Sequence, residues 1–412
     1  MVWCNQTAKF VLGIWITSSS GCLSAPDAGD PSITDSLGIS LIDYSRSFDT
    51  SFGRTHVLEP QPIFSIGEGG TMLFRVRTAL FLSGGGVAVA NAGNGELLLF
   101  RSDGELRARA GGEGGGPGEF AQLTSLSVGP ADSLFAYDAR HRRISVFDSS
   151  GAFVHALTLG ALDTLGLMDF VGLWDTGELV GAFHQRTSGA GLVRDTLVVV
   201  TVSRSGVPDR VLGRYPHLFT HWGPHALPGE GRAAFPIPVP LSPVTAVGLG
   251  PRALYVGLPD PYTLIRVARS GSIRVTRQRA PAQPVTEGHR EQMFAALSRS
   301  RMLAEELAVL RGVVGPSSLP AFGFEPLTAM VGEQALVTTE DGSVWLHPFL
   351  VPGDTAVPEW PRFDSDGLFT GKVRMSRSFR ATAVRGDTVL GVYRDESDAE
   401  YVQAYRVVEV RR

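Results

Sequence analysis

Two charged loops hold the side chains best suited to bind a ligand. In one, Asp138 is followed by Arg140 and Arg142, and in the other, Arg394 stands beside Asp395. Arginine carries a rigid fork of N–H donors, so either loop could grip an anionic ligand. A structural role is the alternative, in which Asp138 pairs with an arginine of its own or the next repeating unit. The same two interpretations, ligand binding and a structural ion pair, apply to the loop of Arg394 and Asp395.

Three of the nine histidines, His217, His221 and His225, recur at four-residue spacing. On a helix they would share one face and could bind a metal ion. Prolines and a glycine within the same stretch argue against a helix, so the imidazoles would have to converge in a loop. We therefore assign no metal and no cofactor and keep these three residues as weak candidates only, with packing and hydrogen bonding in a loop as the alternative.

The sequence offers no catalytic signature. It contains neither Gly-x-Ser-x-Gly nor His-Glu-x-x-His, and no regular calcium-binding loop. The Gly-rich stretch 111–118 lacks the Lys-Ser/Thr pair and the helix that a phosphate-binding loop requires, so it indicates a turn between structural units. The net charge of −4 gives no electrostatic footprint for nucleic acid. We therefore expect no catalytic residue and no nucleic-acid partner.

A short phrase recurs along the chain and defines the elements that must position these loops. Each copy ends a strand-like run with a turn closed by glycine, at residues 100–104, 147–151, 202–206 and 267–271. Such recurrence indicates a repeat architecture, and units of several tens of residues built from four short strands are propeller blades.

We predict an all-β, six-bladed β-propeller of four-stranded blades over residues 57–412, with one helical insertion near 285–311. Residues 61–67 end like an outer strand and could supply the fourth strand of the last blade. The predicted blades lie near residues 73–110, 120–160, 167–213, 243–280, 322–351 and 376–412.

Three stretches carry a family resemblance. The phrase GEGGGPGEF at 112–120 resembles the G-x-G-x-G-P-G-E-F phrase of NHL-like, six-bladed propeller proteins of bacteria. Residues 138–147 resemble the D-x-x-x-x-R-I-x-x-F strand pair of that family, and residues 391–405 resemble its closing blade. The resemblance implies a six-bladed fold and export, and almost nothing about chemistry.

Residues 1–22 predict a signal peptide. An apolar run over residues 10–16 is too short to span a bilayer, and the Ser-Gly-Cys sequence that ends at Cys22 resembles a bacterial lipobox. We expect lipidation at Cys22, with plain secretion and an uncleaved anchor as the alternatives. Residues 23–56 predict a tether and lead-in. The expected location is the bacterial cell envelope, in the periplasm or on the outer membrane, or the medium.

Blade topology predicts which segments share a face. The loops between the second and third strands, and those that lead from one blade to the next, lie on one side, which we call the insertion face. The repeated short turns lie on the other side, the turn face. The insertion face would carry the segments 112–120, 138–143, 214–243, 281–319 and 394–397.

Because loops on a rigid scaffold concentrate binding residues, we expect a binding or scaffold module that works through the insertion face. Its partner would be a protein or a cell-envelope ligand, the membrane would be met only through a lipid anchor, and the chain would be a monomer. The alternative is a hydrolase or lyase for a sugar or lactone, with a divalent metal in the central channel. That alternative needs carboxylates or Asn at the inner strands, whereas residues 123–128 and 245–249 offer apolar and hydroxyl side chains.

Overall fold

The structure is a computed structural model in which β-strands dominate. None of its helices is both long enough and apolar enough to cross a membrane within the part of the chain that it describes. The described residues are 31–44, 53–68, 70–159, 168–187, 189–227, 231–259, 262–278, 284–298, 307–308, 311, 335–350 and 354–410.

Four strands precede the first blade and serve later blades. The outermost of them, β1, is exposed along its whole length, whereas β2 buries Ile42 and Tyr44. These strands are β1 (Ser32–Ser36), β2 (Ile39–Tyr44), β3 (Arg54–Leu58) and β4 (Phe64–Ile66).

Blades 1 and 2 are four-stranded antiparallel sheets that match the prediction closely. Their middle strands are apolar on both faces because each blade is packed between two neighbours, and residues 97–100 are completely or almost completely buried. Gly104 and Gly151 close equivalent turns with φ of +87° and +91°, a conformation that glycine adopts without a steric penalty. The strands of blade 1 are β5 (Val76–Phe81), β6 (Val87–Asn91), β7 (Glu96–Phe100) and β8 (Leu106–Gly111), and those of blade 2 are β9 (Leu123–Val128), β10 (Leu134–Asp138), β11 (Arg143–Phe147) and β12 (Phe153–Thr158).

Blade 3 corrects the prediction that residues 214–243 form a loop insertion. Its fourth strand continues far past the blade and turns back as a fifth strand, so this segment is mostly a β-hairpin. The prolines that suggested a loop, Pro216 and Pro224, fit here because each has a partner strand on one side only, where a missing N–H is tolerated. The strands are β13 (Met168–Leu173), β14 (Leu179–Gln185), β15 (Gly191–Val202), β16 (Pro208–Leu227) and β17 (Gly231–Pro238).

Two N-terminal strands extend the sheet of blade 4 at its outer edge. Strand β2 pairs in parallel with the fourth strand of the blade, and β1 pairs with β2, which gives a six-stranded sheet. The predicted helix follows as α1 (Glu287–Ser298), with Met293, Phe294 and Leu297 buried against Ile237 and Leu241 of the hairpin region. The strands of blade 4 are β18 (Ala246–Leu249), β19 (Ala253–Pro259), β20 (Tyr262–Ala268) and β21 (Ile273–Gln278).

Blade 5 lies later in the chain than the predicted 322–351. Its first two strands have only three residues each, and a long connection that contains three prolines separates them from the last two. These features hid the blade, although residues 363–367 read FDSDG and repeat the turn phrase of blades 1 and 2. The strands are β22 (Leu336–Thr338), β23 (Val344–Leu346), β24 (Glu359–Phe363) and β25 (Phe369–Arg374).

Blade 6 is closed by the N-terminal part of the chain, as predicted. Strand β4 pairs antiparallel with the last strand, β28. Strand β3 also joins β28 to β25 of blade 5, so the two last blades form one nine-stranded sheet. The C-terminal strands are β26 (Phe379–Arg385), β27 (Thr388–Arg394) and β28 (Glu400–Glu409).

The inner strands form a closed ring. Each contacts the inner strand of the next blade in the order β5, β9, β13, β18, β22 and β26, and β26 contacts β5. The hydrophobic clusters lie between blades; one of them packs Val89 and Leu98 of blade 1 against Leu390 and Val402 of blade 6. The prediction of an all-β, six-bladed propeller is therefore confirmed.

Candidate functional site

Strand pairing places the long connections together on the insertion face. The hairpin of β16 and β17, the helix α1 and the loop 112–120 all follow an outer strand and precede the next inner strand. The loops 139–142 and 395–399 join second strands to third strands and so lie on the same side. A candidate site built from these segments would be held by strand ends on a rigid ring.

Asp138 is buried, with an exposed fraction of 0%, and it organises the loop that follows it. Its carboxylate accepts hydrogen bonds from the backbone N–H groups of Ala121 and Gln122 at 2.9 and 3.2 Å, and from those of Arg140 and His141 at 3.0 and 3.2 Å. It also lies 2.7 Å from Nδ1 of His141. The structural alternative thus describes Asp138 best, although its partners are amides and a histidine and not an arginine.

The electrostatics of Asp138 reflect this set of donors. Burial by itself raises the pKa of the carboxyl, but the hydrogen bond from the Ala121 amide and the contacts with His141 outweigh it, so the pKa is lowered. Asn91 occupies the equivalent position in blade 1, where its Oδ1 accepts a 2.7 Å hydrogen bond from the N–H of Phe74. Both residues fix the backbone that leads into the inner strand of their own blade.

Arg140 and Arg142 differ from Asp138 in being partly or fully at the surface. Neither guanidinium makes a hydrogen bond or ion pair with another of the residues that the structure describes. Arg142 has a φ of +52°, a conformation that costs energy for a residue with a Cβ. Of the five predicted binding residues, these two remain open to a ligand.

Arg143 fixes the Gly-rich loop on the insertion face. Its Nη1 donates to the carbonyl of Gly115 at 3.0 Å, and its Nη2 donates to the carbonyls of Gly116 and Glu119, each at 2.6 Å. The loop 112–120 is therefore an ordered inter-blade turn, as its sequence indicated, held by the loop that carries Arg140.

The second charged loop is engaged in internal contacts. The guanidinium of Arg394 donates through Nε and Nη2 to one carboxylate oxygen of Glu400, at 3.0 and 2.8 Å. Asp395 accepts from the N–H groups of Ser397 and Ala399 at 2.8 and 3.0 Å and forms a turn. The hydrogen bond from the Ser397 hydroxyl is the largest cause of a lowered pKa for the Asp395 carboxyl. Like Asp138, the charged groups of this loop are therefore used in contacts within the fold.

The three spaced histidines lie along β16 and cannot bind one ion. Residues four apart in a strand share a face but are separated by about 13 Å, at roughly 3.3 Å per residue. His221 is opposite Leu192 of β15, and His225 is opposite Ala233 of β17. Among the described residues no group of three His, Cys, Asp or Glu side chains is arranged to hold a metal ion.

His217 instead belongs to a cluster that the sequence did not reveal. Its ring packs edge-on against His184, with 4.5 Å between centroids, and Nε2 of His184 lies 3.4 Å from Oδ2 of Asp169. His217 is 3% exposed, and neither of its ring nitrogens has a hydrogen-bond partner in the described part of the chain. The three residues lie on three different strands of blade 3. Asp169 and His184 are 15 positions apart and His184 and His217 are 33 apart, so no local spacing could have indicated the cluster.

Burial governs the charge state of this cluster. It lowers the pKa of His217 well below the usual range, and the nearby His184 and Arg194 lower it further. Burial also raises the pKa of Tyr137 on the neighbouring blade, with Asp169 adding to the effect. His217 is therefore a neutral imidazole at neutral pH, beneath the start of the hairpin.

Cys22, the predicted lipidation site, lies outside the described residues. No catalytic grouping emerges from the inner strands of the described chain. Their side chains at the channel are mainly aliphatic or hydroxyl-bearing, as in Leu126, Val247 and Thr338.

Comparison with known proteins agrees with the fold. The chain matches a family model described as 6-bladed beta-propeller (DUF5128) over residues 77–173. No curated protein matches the sequence. The family model and the ring of blades together confirm the resemblance to six-bladed propeller proteins of bacteria.

Solved structures share the architecture at low sequence identity. A Bacteroides fragilis NCTC 9343 protein described as exported superimposes with a TM-score of 0.51 at 10% identity and covers 90% of this chain and 100% of its own. A DUF4221 family member from Bacteroides vulgatus gives a TM-score of 0.51 at 8% identity, over 86% of this chain and 99% of its own. Virginiamycin B lyase from Staphylococcus aureus gives 0.40 at 10% identity, over 83% and 97%, too low a score to support a shared reaction.

Proposed function

We propose that this six-bladed β-propeller is an exported, lipid-anchored binding module. It engages a protein or cell-envelope ligand through its insertion face. The observation that carries the proposal is the unequal distribution of connections. The hairpin of β16 and β17, the helix α1 and the loop 112–120 extend from one face, while the opposite face has short turns closed by glycine. Elaborated loops on a rigid ring are the usual form of a recognition surface.

Within this face, the loop 139–142 is the best candidate for direct contact. Asp138 holds its first part through the N–H groups of Arg140 and His141, and Arg143, which follows it, is tied to the loop 112–120, so Arg140 and Arg142 are presented on a preorganised support. A pair of surface guanidinium groups favours an anionic partner, and because the loop backbone is already fixed, less conformational freedom is lost on binding.

Export and anchoring have separate support. The N-terminal segment has a charge, an apolar run and Ser-Gly-Cys in an order that resembles a lipoprotein signal. One protein of similar fold is itself described as exported. Cys22→Ala is expected to move the protein from the membrane fraction to the soluble fraction and to remove the mass of a lipid. Unchanged fractionation with an unlipidated mass would contradict the anchor.

The binding proposal is tested by crosslinking and pull-down from membranes. We expect Arg140→Glu/Arg142→Glu to reduce recovery of an anionic partner strongly, with a melting temperature within a few degrees of the wild type, as for other exposed substitutions. The matched control is Arg101→Glu/Arg204→Glu, which makes the same charge change in exposed turns of the turn face. Crosslinks confined to the turn face, or an equal loss of partner in both variants, would refute the assignment.

A further inference from the structure

A cavity lies on the propeller axis, on the side away from the proposed binding face. Its volume is about 500 Å³, and its wall is formed by the ends of the six inner strands and the turns that follow them. Small-molecule sites generally occupy roughly 300–1,000 Å³. Because those strand ends lead into the short turns, the cavity belongs to the turn face.

The wall presents apolar and polar atoms in nearly equal measure. Phe81, Leu126 and Leu249 represent its aliphatic and aromatic lining. Two hydroxyls of the wall are already used between blades, since Thr338 donates to the carbonyl of Leu249 at 2.9 Å and Thr382 donates to that of Ala79 at 2.8 Å. The cavity therefore offers a ligand both apolar contact along the inner strands and polar groups.

Two polar side chains of the wall have N–H groups that are not fully used in hydrogen bonds. Trp174 is 1% exposed, and its indole N–H has no acceptor among the described residues. Arg385 lies over the ring of Phe81 at 4.9 Å and donates to the carbonyl of Leu82 at 2.9 Å. Among the described residues, Arg385 is the only cationic side chain that lines the cavity.

The anionic partner of Arg385 is replaceable. Its Nε donates to Glu340 at 2.9 Å, but the Glu340 side chain is 69% exposed. Exposed ion pairs of this kind contribute little because solvent screens them. The other carboxylate at the cavity, Asp175, is paired with Arg269 at 3.2 Å. A carboxylate brought by a ligand could therefore take the place of Glu340 beside Arg385.

We propose that this axial cavity binds a small molecule that has an apolar body and a single carboxylate. The apolar body would occupy the wall formed by the inner strands, and the carboxylate would bind Arg385. The site is independent of the partner-binding function because it lies on the opposite face of the ring.

The test is calorimetric titration of the purified protein with decanoate, decanol and decylamine, which share a chain length and differ in head group. We expect one decanoate per chain, with decylamine binding at least about tenfold more weakly, as for the loss of a charge-assisted contact. This comparison requires no substitution and is not affected by folding defects. Equal affinity for decanoate and decylamine, or binding of none of the three, would overturn the proposal.

Arg385→Gln assigns the contact. It is expected to weaken decanoate by about tenfold while leaving decanol unchanged, and the control Arg101→Gln is expected to leave both unchanged. Arg101 is a turn-face arginine whose ion-pair partner, Glu105, does not line the cavity. Unchanged decanoate affinity in Arg385→Gln would refute the role of Arg385. Because partner capture at Arg140 is a separate measurement on the other face, failure of either proposal leaves the other intact.

Discussion

The carboxylate of Glu400 accepts a 2.7 Å hydrogen bond from the backbone N–H of Val76, a residue 324 positions away. Val76 begins the inner strand of blade 1 and Glu400 begins the last strand of blade 6, so the bond joins the first and last blades of the ring. The other carboxylate oxygen is held by Arg394 at 2.8 Å. Arg394, which the sequence suggested as a ligand contact, thus orients a residue that closes the propeller.

Glu400→Ala is expected to destabilise the fold more than Glu400→Gln. The Glu400 side chain is only 6% exposed, and alanine would leave the Val76 N–H without an acceptor, at a cost of about 1–3 kcal/mol. Glutamine keeps an oxygen acceptor and loses only the ion pair. Urea unfolding measures both changes, with Arg394→Ala as the control that removes the exposed partner alone. Equal losses in the alanine and glutamine variants would show that the bond to Val76 is unimportant.

Arg143→Met is expected to release the Gly-rich loop. Three carbonyls of that loop lose their donor, while the strands on either side keep their pairing. Cleavage by a glutamate-specific protease at Glu113 and Glu119 should become several times faster, because cleavage needs an extended, accessible backbone. Arg140→Met is the control, since its side chain does not contact the loop. Equal cleavage rates in the two variants would contradict the anchoring role.

Blades could be placed from the sequence where the local strand and turn pattern repeats, and they were misplaced where the pattern is irregular. Residues 100–104 and 147–151 follow apolar strands of regular length, so both blades could be placed. Blade 5 has the same phrase at 363–367, but its first strands are too short to show alternation. Strand β16 was hidden by Pro216 and Pro224, which are tolerated because each has a partner strand on one side only, and that is a property of the sheet and not of the segment.

The same limit applies to the candidate site. An aspartate that follows a strand and precedes arginines looks like a surface anion clamp, because the amides that bind Asp138 belong to residues 16 and 17 positions earlier. Whether a carboxylate is exposed depends on how the chain before the inner strand folds back over it. The cluster around His217 depends on three strands at once and has no local signal.

Acidification is expected to destabilise the propeller through His217. Its pKa in the folded protein is well below the unfolded value of 6.5, so below pH 6.5 the unfolded chain binds a proton that the folded chain does not. The free energy of unfolding is therefore highest above pH 6.5 and falls as the pH drops, by up to about 1.4 kcal/mol per pH unit. His184, Asp169 and Arg194 are the charged or titratable neighbours that set this shift or share the cluster.

His217→Phe removes the titrating group while keeping a buried ring. We expect its stability to depend less steeply on pH between 7 and 5 than that of the wild type, as measured by urea unfolding at several pH values. The control is His155→Phe at an exposed position, which should keep the wild-type slope. If both variants retain the wild-type slope, another group is responsible for the acid sensitivity.

Ring closure by the N-terminal strand can be locked covalently. Ser65 of β4 and Gln403 of β28 are directly opposite in the antiparallel pair, and Nε2 of Gln403 lies 3.2 Å from Oγ of Ser65. Ser65→Cys/Gln403→Cys, made with both native cysteines replaced by serine, is therefore expected to form a disulfide on mild oxidation. It would close a loop of 338 residues and raise the free energy of unfolding by about 2–4 kcal/mol, chiefly by restricting the unfolded chain.

Each single-cysteine variant and the reduced double variant serve as controls, because none of them can carry the crosslink. Faster migration of the oxidised protein on a denaturing gel and the loss of two free thiols would report the bond. Thiols that stay free under oxidation would mean that β4 does not pair with β28 in solution. Blade 6 would then have an open outer edge.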